Sequence, residues 1–199
     1  MGSIHEWRKP RFLCLHGMRT NADILKKELV RKWDSVVLDK LDLVFVDAPF
    51  PCLGKSDVEG IYDPPYYEWF HMDKGGMLAG ALPILQEKGL VLTKVPKIKC
   101  VIIIGAAKIS RDKFLAENAY DPQIRCPSVH IIGKGEGFRE SAIQLVECYV
   151  DPIVIHHPKG HTIPRLDDKS LGEMLSFIER IERDINKTER SSLRHKSKL

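Results

Sequence analysis

Short apolar runs alternate with amphipathic stretches along most of the chain, and this alternation constrains the fold more than any other feature. The run Lys97–Gly105 is apolar throughout its centre, which is typical of a strand covered on both faces. Strands that alternate with helices predict an α/β fold, a mostly parallel sheet with helices on both faces. The predicted strands are Arg11–His16, Leu41–Val46, Lys97–Gly105, Pro127–Gly133 and Pro152–His156, and the predicted helices are Asn21–Ser35, Gly76–Lys88, Phe138–Tyr149 and Lys169–Ile185.

The length of 199 residues favours one domain. We place it at 11–186, after an N-terminal segment 1–10 and before a basic tail 187–199 that we expect to be disordered. The net charge is +4, and the tail alone carries five Lys or Arg and one Glu. The domain itself is therefore near neutral. This argues against a nucleic-acid partner, because such proteins carry a basic face on the domain.

Composition also bears on membrane, metal and redox classes. No apolar run approaches the ~18 residues that span a bilayer, and the N-terminal segment has no signal-peptide core. We therefore expect synthesis in the cytosol and no membrane partner. The five cysteines are widely spaced and contain no C-x-x-C, which argues against a disulfide framework and against a zinc site. A reducing compartment fits this pattern.

A long irregular stretch, 50–73, follows directly after Pro49. It carries three further prolines and several aromatic residues. Loops of this length are uncommon in compact domains and are often functional. We favour a loop that covers substrate, and the alternative is a surface loop held down by its aromatic side chains.

Active sites of open parallel sheets lie at the carboxyl ends of the strands, and three predicted strand ends carry reactive groups. The first is His16-Gly17-Met18. Its glycine allows a sharp turn, so that the next backbone N–H can point at a developing oxyanion. We interpret His16 chiefly as a brace for this turn.

The other two strand ends are Gly133–Gly137 and His156–Thr162. The first resembles half of a dinucleotide fingerprint, but Phe138 stands where the fingerprint requires glycine, so we expect no nucleotide cofactor. Its Glu136 either orients a histidine or is a solvated surface residue. In the second, neighbouring histidines would point to opposite faces of an extended chain, so we expect no metal. A histidine after the last strand and downstream of an acid occupies the position of a hydrolase base.

Five stretches of the chain resemble the family of serine hydrolases, the group that includes the ovarian-cancer-associated protein 2, in its plant branch. The resemblance implies an α/β-hydrolase fold and a Ser–Asp–His triad that acts on small esters. His161 matches the base of the family, and Met18 matches the residue that donates an oxyanion N–H. The stretches are RFLCLHGMRT at 11–20, PYYEWF at 65–70, MLAGALP at 77–83, IIIGA at 102–106 and HHPKGHTIPRLD at 156–167.

The chain departs from this family pattern in two places. Glu136 stands where the family has an aspartate, although glutamate serves in related triads. The family also carries G-x-S-x-G just before the helix that begins here with Gly75-Gly76, and no such pentapeptide occurs in this chain. The sequence jumps from Lys74 to Gly75 where the family has a further helix, the central strand and the serine elbow. No nucleophile can therefore be assigned.

These observations leave three hypotheses on function. The first is a serine-hydrolase-family protein of the carboxylesterase or thioesterase type, for small acyl esters or thioesters, that is inactive or impaired because the serine elbow is absent. The second is a non-catalytic binding protein that uses the hydrolase pocket. The third makes Asp73 a carboxylate nucleophile in place of the serine, although His71 occupies the position where the tight turn needs a small residue.

The chain ends in Ser197-Lys198-Leu199, the S-K-L signal that a peroxisomal import receptor binds at a free C-terminus. We predict location in the peroxisome, with the cytoplasm as the alternative. A fluorescent protein fused to the N-terminus is expected to give punctate signal that overlaps a peroxisomal marker, and deletion of Leu199 is expected to make it diffuse. A diffuse signal that is the same with and without Leu199 would contradict the prediction.

Overall fold

A computed structural model describes residues 8–52, 54–69, 75–109, 120–121 and 123–196, with side chains through 188. Strands and helices alternate through the chain, which confirms the predicted α/β class. The strands are β1 Arg11–Leu15, β2 Asp42–Val46, β3 Phe50–Pro51, β4 Tyr67–Glu68, β5 Val101–Ile104, β6 Ser128–Gly133 and β7 Ile153–His157. The helices are α1 Ala22–Lys32, α2 Ser35–Leu38, α3 Gly75–Glu87, α4 Arg139–Val146 and α5 Asp168–Lys196.

The parallel strands form two separate ladders in the part of the chain that is described. β1 pairs with β2, and β6 lies between β5 and β7, with every pair parallel. β6 is buried along its whole length, as expected of the central strand of a covered sheet. The short strands β3 and β4 pair antiparallel within the long irregular stretch.

The largest core covers one face of both ladders. Leu29 of α1 and Phe177 of α5 belong to it together with Ile131 of β6, and Phe12 and Leu43 of the first ladder pack against it. A second core lies on the other face of β5, where Ile84 of α3 and Leu145 of α4 are buried against Val101 and Ile103. The three-stranded ladder is therefore covered on both faces, as the sequence predicts.

The other face of the β1–β2 ladder is open. Leu13 and Val44 are register partners on that face, and their exposed fractions are 61% and 38%. Strands of parallel sheets are normally buried on both faces because crossover helices lie over them. Within the described residues, the first ladder therefore has the apolar composition of a buried strand pair, but the face with Leu13 and Val44 is covered only in part.

The first helix, α1, begins where the sequence predicts, whereas the last helix, α5, ends later in the chain than predicted. The side chain of Asn21 accepts a hydrogen bond from the N–H of Ile24 at 2.8 Å, so Asn21 is the N-cap of α1 and the helix starts where the sequence predicts. The helix α5 ends at Lys196 rather than at Ile185, because 186–196 contains neither proline nor glycine to stop it. Most of the predicted tail is thus described as helix, whereas Ser197, Lys198 and Leu199 lie outside the described residues and their role as a signal stays a prediction.

In the described part of the chain, no helix combines the length and the apolar character that crossing a bilayer requires.

His130 of β6 makes stability depend on pH. It is 2% exposed, its ring lies edge-on to Tyr149, and burial lowers its pKa from 6.5 to about 4. The unfolded chain therefore binds the proton more readily than the fold does. The contribution of His130 to the free energy of unfolding is complete above about pH 6.5. It is lost as the pH falls towards about 4, and this loss is on the order of 3 kcal/mol.

We predict that His130→Gln reduces the loss of unfolding free energy between neutral pH and about pH 4.5, measured by urea unfolding. His156→Gln is the matched control, because His156 lies on β7 and is exposed. An unchanged pH dependence in His130→Gln would contradict the assignment.

Candidate active site

Two residues that the sequence singles out, His161 and Glu136, lie side by side. The Nδ1 atom of His161 is 3.8 Å from Oε1 of Glu136. The carboxylate side chain is fully buried while that of the histidine is 47% exposed, so Glu136 is not a solvated surface residue. This is the arrangement in which a buried acid orients an imidazole that faces solvent.

Backbone contacts between two loops fix this pair. The loop after β6 is joined to the loop after β7, because the N–H of Lys134 donates to the carbonyl of His157 at 2.9 Å and the N–H of Gly135 donates to that of Lys159 at 3.2 Å. The N–H of Gly133 donates to Oε1 of Glu136 at 3.2 Å. The strand ends therefore position both the acid and the base.

Close approach of these loops requires glycine at position 133. A Cβ there would lie 2.5 Å from the carbonyl oxygen of Lys159 and 2.6 Å from that of Gly160. Neither backbone oxygen can withdraw without opening the contact between the loops. The reading of Gly133–Gly137 as a strand-end loop that presents Glu136 thus agrees with the geometry.

The loop that carries His161 also contacts the first crossover helix. Lys32 in the last turn of α1 donates a hydrogen bond to the hydroxyl of Thr162 at 2.7 Å, and the same lysine pairs with Glu28 at 2.8 Å. The ring of Phe138, before α4, packs edge-on against His161 with centroids 5.0 Å apart. The segment His161-Thr162 is therefore contacted by α1, by Phe138 and by Glu136.

The turn after β1 contains Met18, the residue predicted to donate an oxyanion N–H. His16 is fully buried, and its Nε2 accepts a hydrogen bond from the N–H of Ala48 at 3.0 Å. Its Nδ1 lies 2.8 Å from the carbonyl of Gly17. Burial lowers the pKa of His16, which the contact with that carbonyl opposes. A neutral imidazole that donates from Nδ1 satisfies both contacts, so His16 braces the turn.

The long irregular stretch is anchored to this same turn. Trp69 donates from Nε1 to the carbonyl of His16 at 2.9 Å, and the N–H of Tyr67 donates to the carbonyl of Thr20 at 2.8 Å. Arg19, which has a φ of 54°, forms an ion pair with the buried Glu68 at 2.8 Å. These contacts hold the end of the stretch beside the candidate oxyanion turn. Sequence reasoning missed all three anchors, since their partners are more than 45 residues apart.

The start of α3 packs beside the strand end that faces the His161–Glu136 pair. A Cβ on Gly76 would lie 2.8 Å from Cβ of Ala106, and a Cβ on the preceding residue of that strand end, Gly105, would lie 2.7 Å from Nδ1 of His161. The strand end Gly105–Ala106 therefore lies between the start of α3 and the pair. Asp73, the nucleophile of the third hypothesis, lies outside the described residues.

The described residues contain no group of three His, Cys, Asp or Glu side chains that could hold a metal ion. The expectation that the protein uses neither metal nor cofactor stays a prediction.

We predict that Glu68→Gln lowers the free energy of unfolding, because it removes the charge from the buried partner of the hydrogen bond with Arg19. Limited proteolysis within 50–69 should become faster in the same variant. Glu59→Gln is the control, since Glu59 is an exposed residue of the same stretch. Equal unfolding and proteolysis of the two variants would show that the ion pair does not anchor the stretch.

Curated proteins that resemble the chain are esterases by name. An esterase of Anopheles gambiae is 25% identical over 198 residues, covering 78% of this chain and 72% of the mosquito protein. An esterase of Aedes aegypti is 24% identical over 218 residues, covering 87% and 77%. An esterase of Fusarium mangiferae is 23% identical over 210 residues, covering 86% and 96%.

The sequence profile described as "Serine hydrolase (FSH1)" matches residues 5–75 and 73–171, which together form most of the chain and include both loops of the candidate site. With the α/β fold and the juxtaposed His161 and Glu136, this match establishes that the chain belongs to the serine hydrolase (FSH1) family.

Proposed function

We propose that this chain is a member of the serine hydrolase family that keeps the acid–base half of the catalytic site and lacks the nucleophile. His161 is its base, Glu136 orients that base, and the N–H of Met18 is an oxyanion donor. Without an activated serine, the chain is inactive or strongly impaired as an esterase, because loss of the nucleophile leaves only residual catalysis.

The position of α3 carries this proposal, because Gly76 packs beside the strand end Gly105–Ala106 that faces the His161–Glu136 pair. A nucleophile elbow places its serine on the turn just before a helix, and α3 is the helix that begins here. The residues before it are His71-Met72-Asp73-Lys74 followed by Gly75-Gly76, without serine, threonine or cysteine. The position that faces the base in a serine hydrolase therefore has no hydroxyl or thiol in this chain.

The separation of the sheet into two ladders supports the proposal that a longer segment is missing before α3. An additional strand between β1 and β5 would join the two ladders, and an additional helix would cover Leu13 and Val44, whose exposed fractions are 61% and 38%. A helix and a strand before the serine elbow are what the family resemblance implies for the missing part. One missing segment thus accounts for both the broken sheet and the open face.

The comparisons with known proteins also support the proposal that a segment before α3 is missing. The alignment with the Aedes esterase extends over 218 positions, which exceeds the 199 residues of this chain, although only 87% of the chain takes part. Tens of positions in the mosquito protein therefore have no counterpart here. The family profile matches in two stretches that overlap at 73–75, where α3 begins.

The substrate class proposed for a form with an intact elbow is a small acyl ester or thioester. The names of the relatives support an ester. A peroxisomal location, with an import receptor bound at Ser197-Lys198-Leu199, would favour lipid-derived thioesters. The plant branch is proposed from the five stretches of the sequence that resemble the family, of which the block that ends in KGHTIPRL is specific.

We predict that the purified chain is not labelled by a fluorophosphonate probe, because that reagent needs an activated serine. Hydrolysis of p-nitrophenyl acetate should equal that of His161→Ala. An unrelated active serine hydrolase labelled in parallel shows that the probe works. Labelling of any serine, or of Ser110 in particular, would contradict the proposal, and a covalent ester at Asp73 after incubation with substrate would replace it with a carboxylate nucleophile.

The fold itself offers a site for the alternative, a non-catalytic binding protein, because His161 and the Met18 turn remain in place. Thermal stabilisation of the chain by a short-chain ester or acyl phosphonate, without turnover, would favour binding. Sequencing of the transcript decides the origin of the short form, since a longer form with an intact G-x-S-x-G would identify it as a variant of an active enzyme.

A further inference from the structure

Gly105 is the residue directly after β5, and its backbone adopts a conformation that favours glycine. Its φ is +55°, in the left-handed region where a side chain is disfavoured. Its N–H donates to the carbonyl of Ile131 at 2.9 Å, which continues the pairing between β5 and β6. The residue is therefore fixed to the central strand of the ladder rather than placed in a loose loop.

Because Gly105 has no side chain, the His161–Glu136 pair can occupy the space beside its backbone. A Cβ at this position would lie 2.7 Å from Nδ1 and 3.0 Å from Cε1 of His161, and 2.9 Å from Oε1 of Glu136. All three distances are well inside van der Waals contact. The methyl group would thus meet both members of the pair, at the same atoms that face each other across 3.8 Å.

Neither member of the pair can withdraw easily from such a methyl group. Oε1 of Glu136 accepts the hydrogen bond from Gly133, and its side chain is fully buried. The ring of His161 packs edge-on against Phe138. Relief would therefore require the imidazole to turn outward, where 47% of its side chain is already exposed, and that movement separates it from the acid.

We propose that Gly105 is a positioning residue of the candidate site, whose bare backbone keeps His161 beside Glu136. It touches no substrate and acts through the geometry of the pair. The inference rests on the proposed role of Glu136 as the orienting acid. Because a serine is not needed to measure that pairing, it can be tested in this chain as it exists.

The test follows the Cε1 proton of His161 by NMR as pH is varied, in the full chain. A carboxylate beside an imidazole favours the protonated ring, so Glu136→Gln is expected to lower the titration midpoint of His161 by up to about one pH unit. Gly105→Ala is expected to produce a shift of the same sign and most of its size.

Two control variants separate this effect from general consequences of adding a methyl group. Gly89→Ala introduces the same backbone strain, since Gly89 has a φ of +70°, and none of the described residues lies within 4 Å of an added Cβ. Gly137→Ala adds a methyl group in the loop of Glu136, again with no described residue within 4 Å. Both are expected to leave the midpoint of His161 unchanged.

The outcomes distinguish the two assignments. An unchanged midpoint in Glu136→Gln would overturn the acid role of Glu136 and with it this inference. A shift in Glu136→Gln without one in Gly105→Ala would overturn the role of Gly105 alone. A shift of equal size in Gly89→Ala would assign the effect to strain and would also overturn it.

A second measurement serves if Gly105→Ala folds poorly. His161→Ala removes two of the three contacts of the added methyl group, those at 2.7 and 3.0 Å, so the fall in Tm caused by Gly105→Ala should be smaller in that background by at least about 2–4 °C. The fall caused by Gly89→Ala should be the same in both backgrounds. An equal effect of Gly105→Ala with and without the imidazole would overturn the inference.

Discussion

The candidate site depends on the contact between the loops that follow β6 and β7. Two backbone hydrogen bonds join these loops, from Lys134 to His157 and from Gly135 to Lys159, and they extend the parallel pairing past the ends of the strands. Glu136 is buried inside this contact and His161 lies on its solvent side. The juxtaposition of His161 and Glu136 is therefore a consequence of strand pairing at the most buried part of the sheet.

The first ladder is covered less completely than the three-stranded ladder in the described part of the chain. β1 and β2 keep their helix α1, the brace at His16 and the anchored stretch 50–69, so the turn at Met18 remains ordered by several hydrogen bonds. The face with Leu13 and Val44 stays open. Burial of apolar surface is the main favourable contribution to folding, so this ladder is stabilised less than one covered on both faces.

The fold was largely predictable from the order of apolar runs. All five predicted strands and four predicted helices are present, and apart from the end of α5 their bounds differ by at most four residues, because strands buried on both faces leave a continuous apolar signal. The predicted end of α5 was wrong, since a polar helix that projects past the core has no apolar period to mark its end. The sequence singled out His161 and Glu136 from their places after strand ends, and the family resemblance added Met18.

The sequence by itself determined the α/β class, the order of the elements and the absence of a G-x-S-x-G elbow, because each depends on residues that are neighbours in the chain. Only the tertiary structure decided that Glu136 is buried against His161, that Gly105 and Gly133 make room for them, and that Trp69 and Glu68 bind the turn after β1. Those contacts join residues tens of positions apart, and their distances follow from how strands pair and helices pack, which no local pattern records.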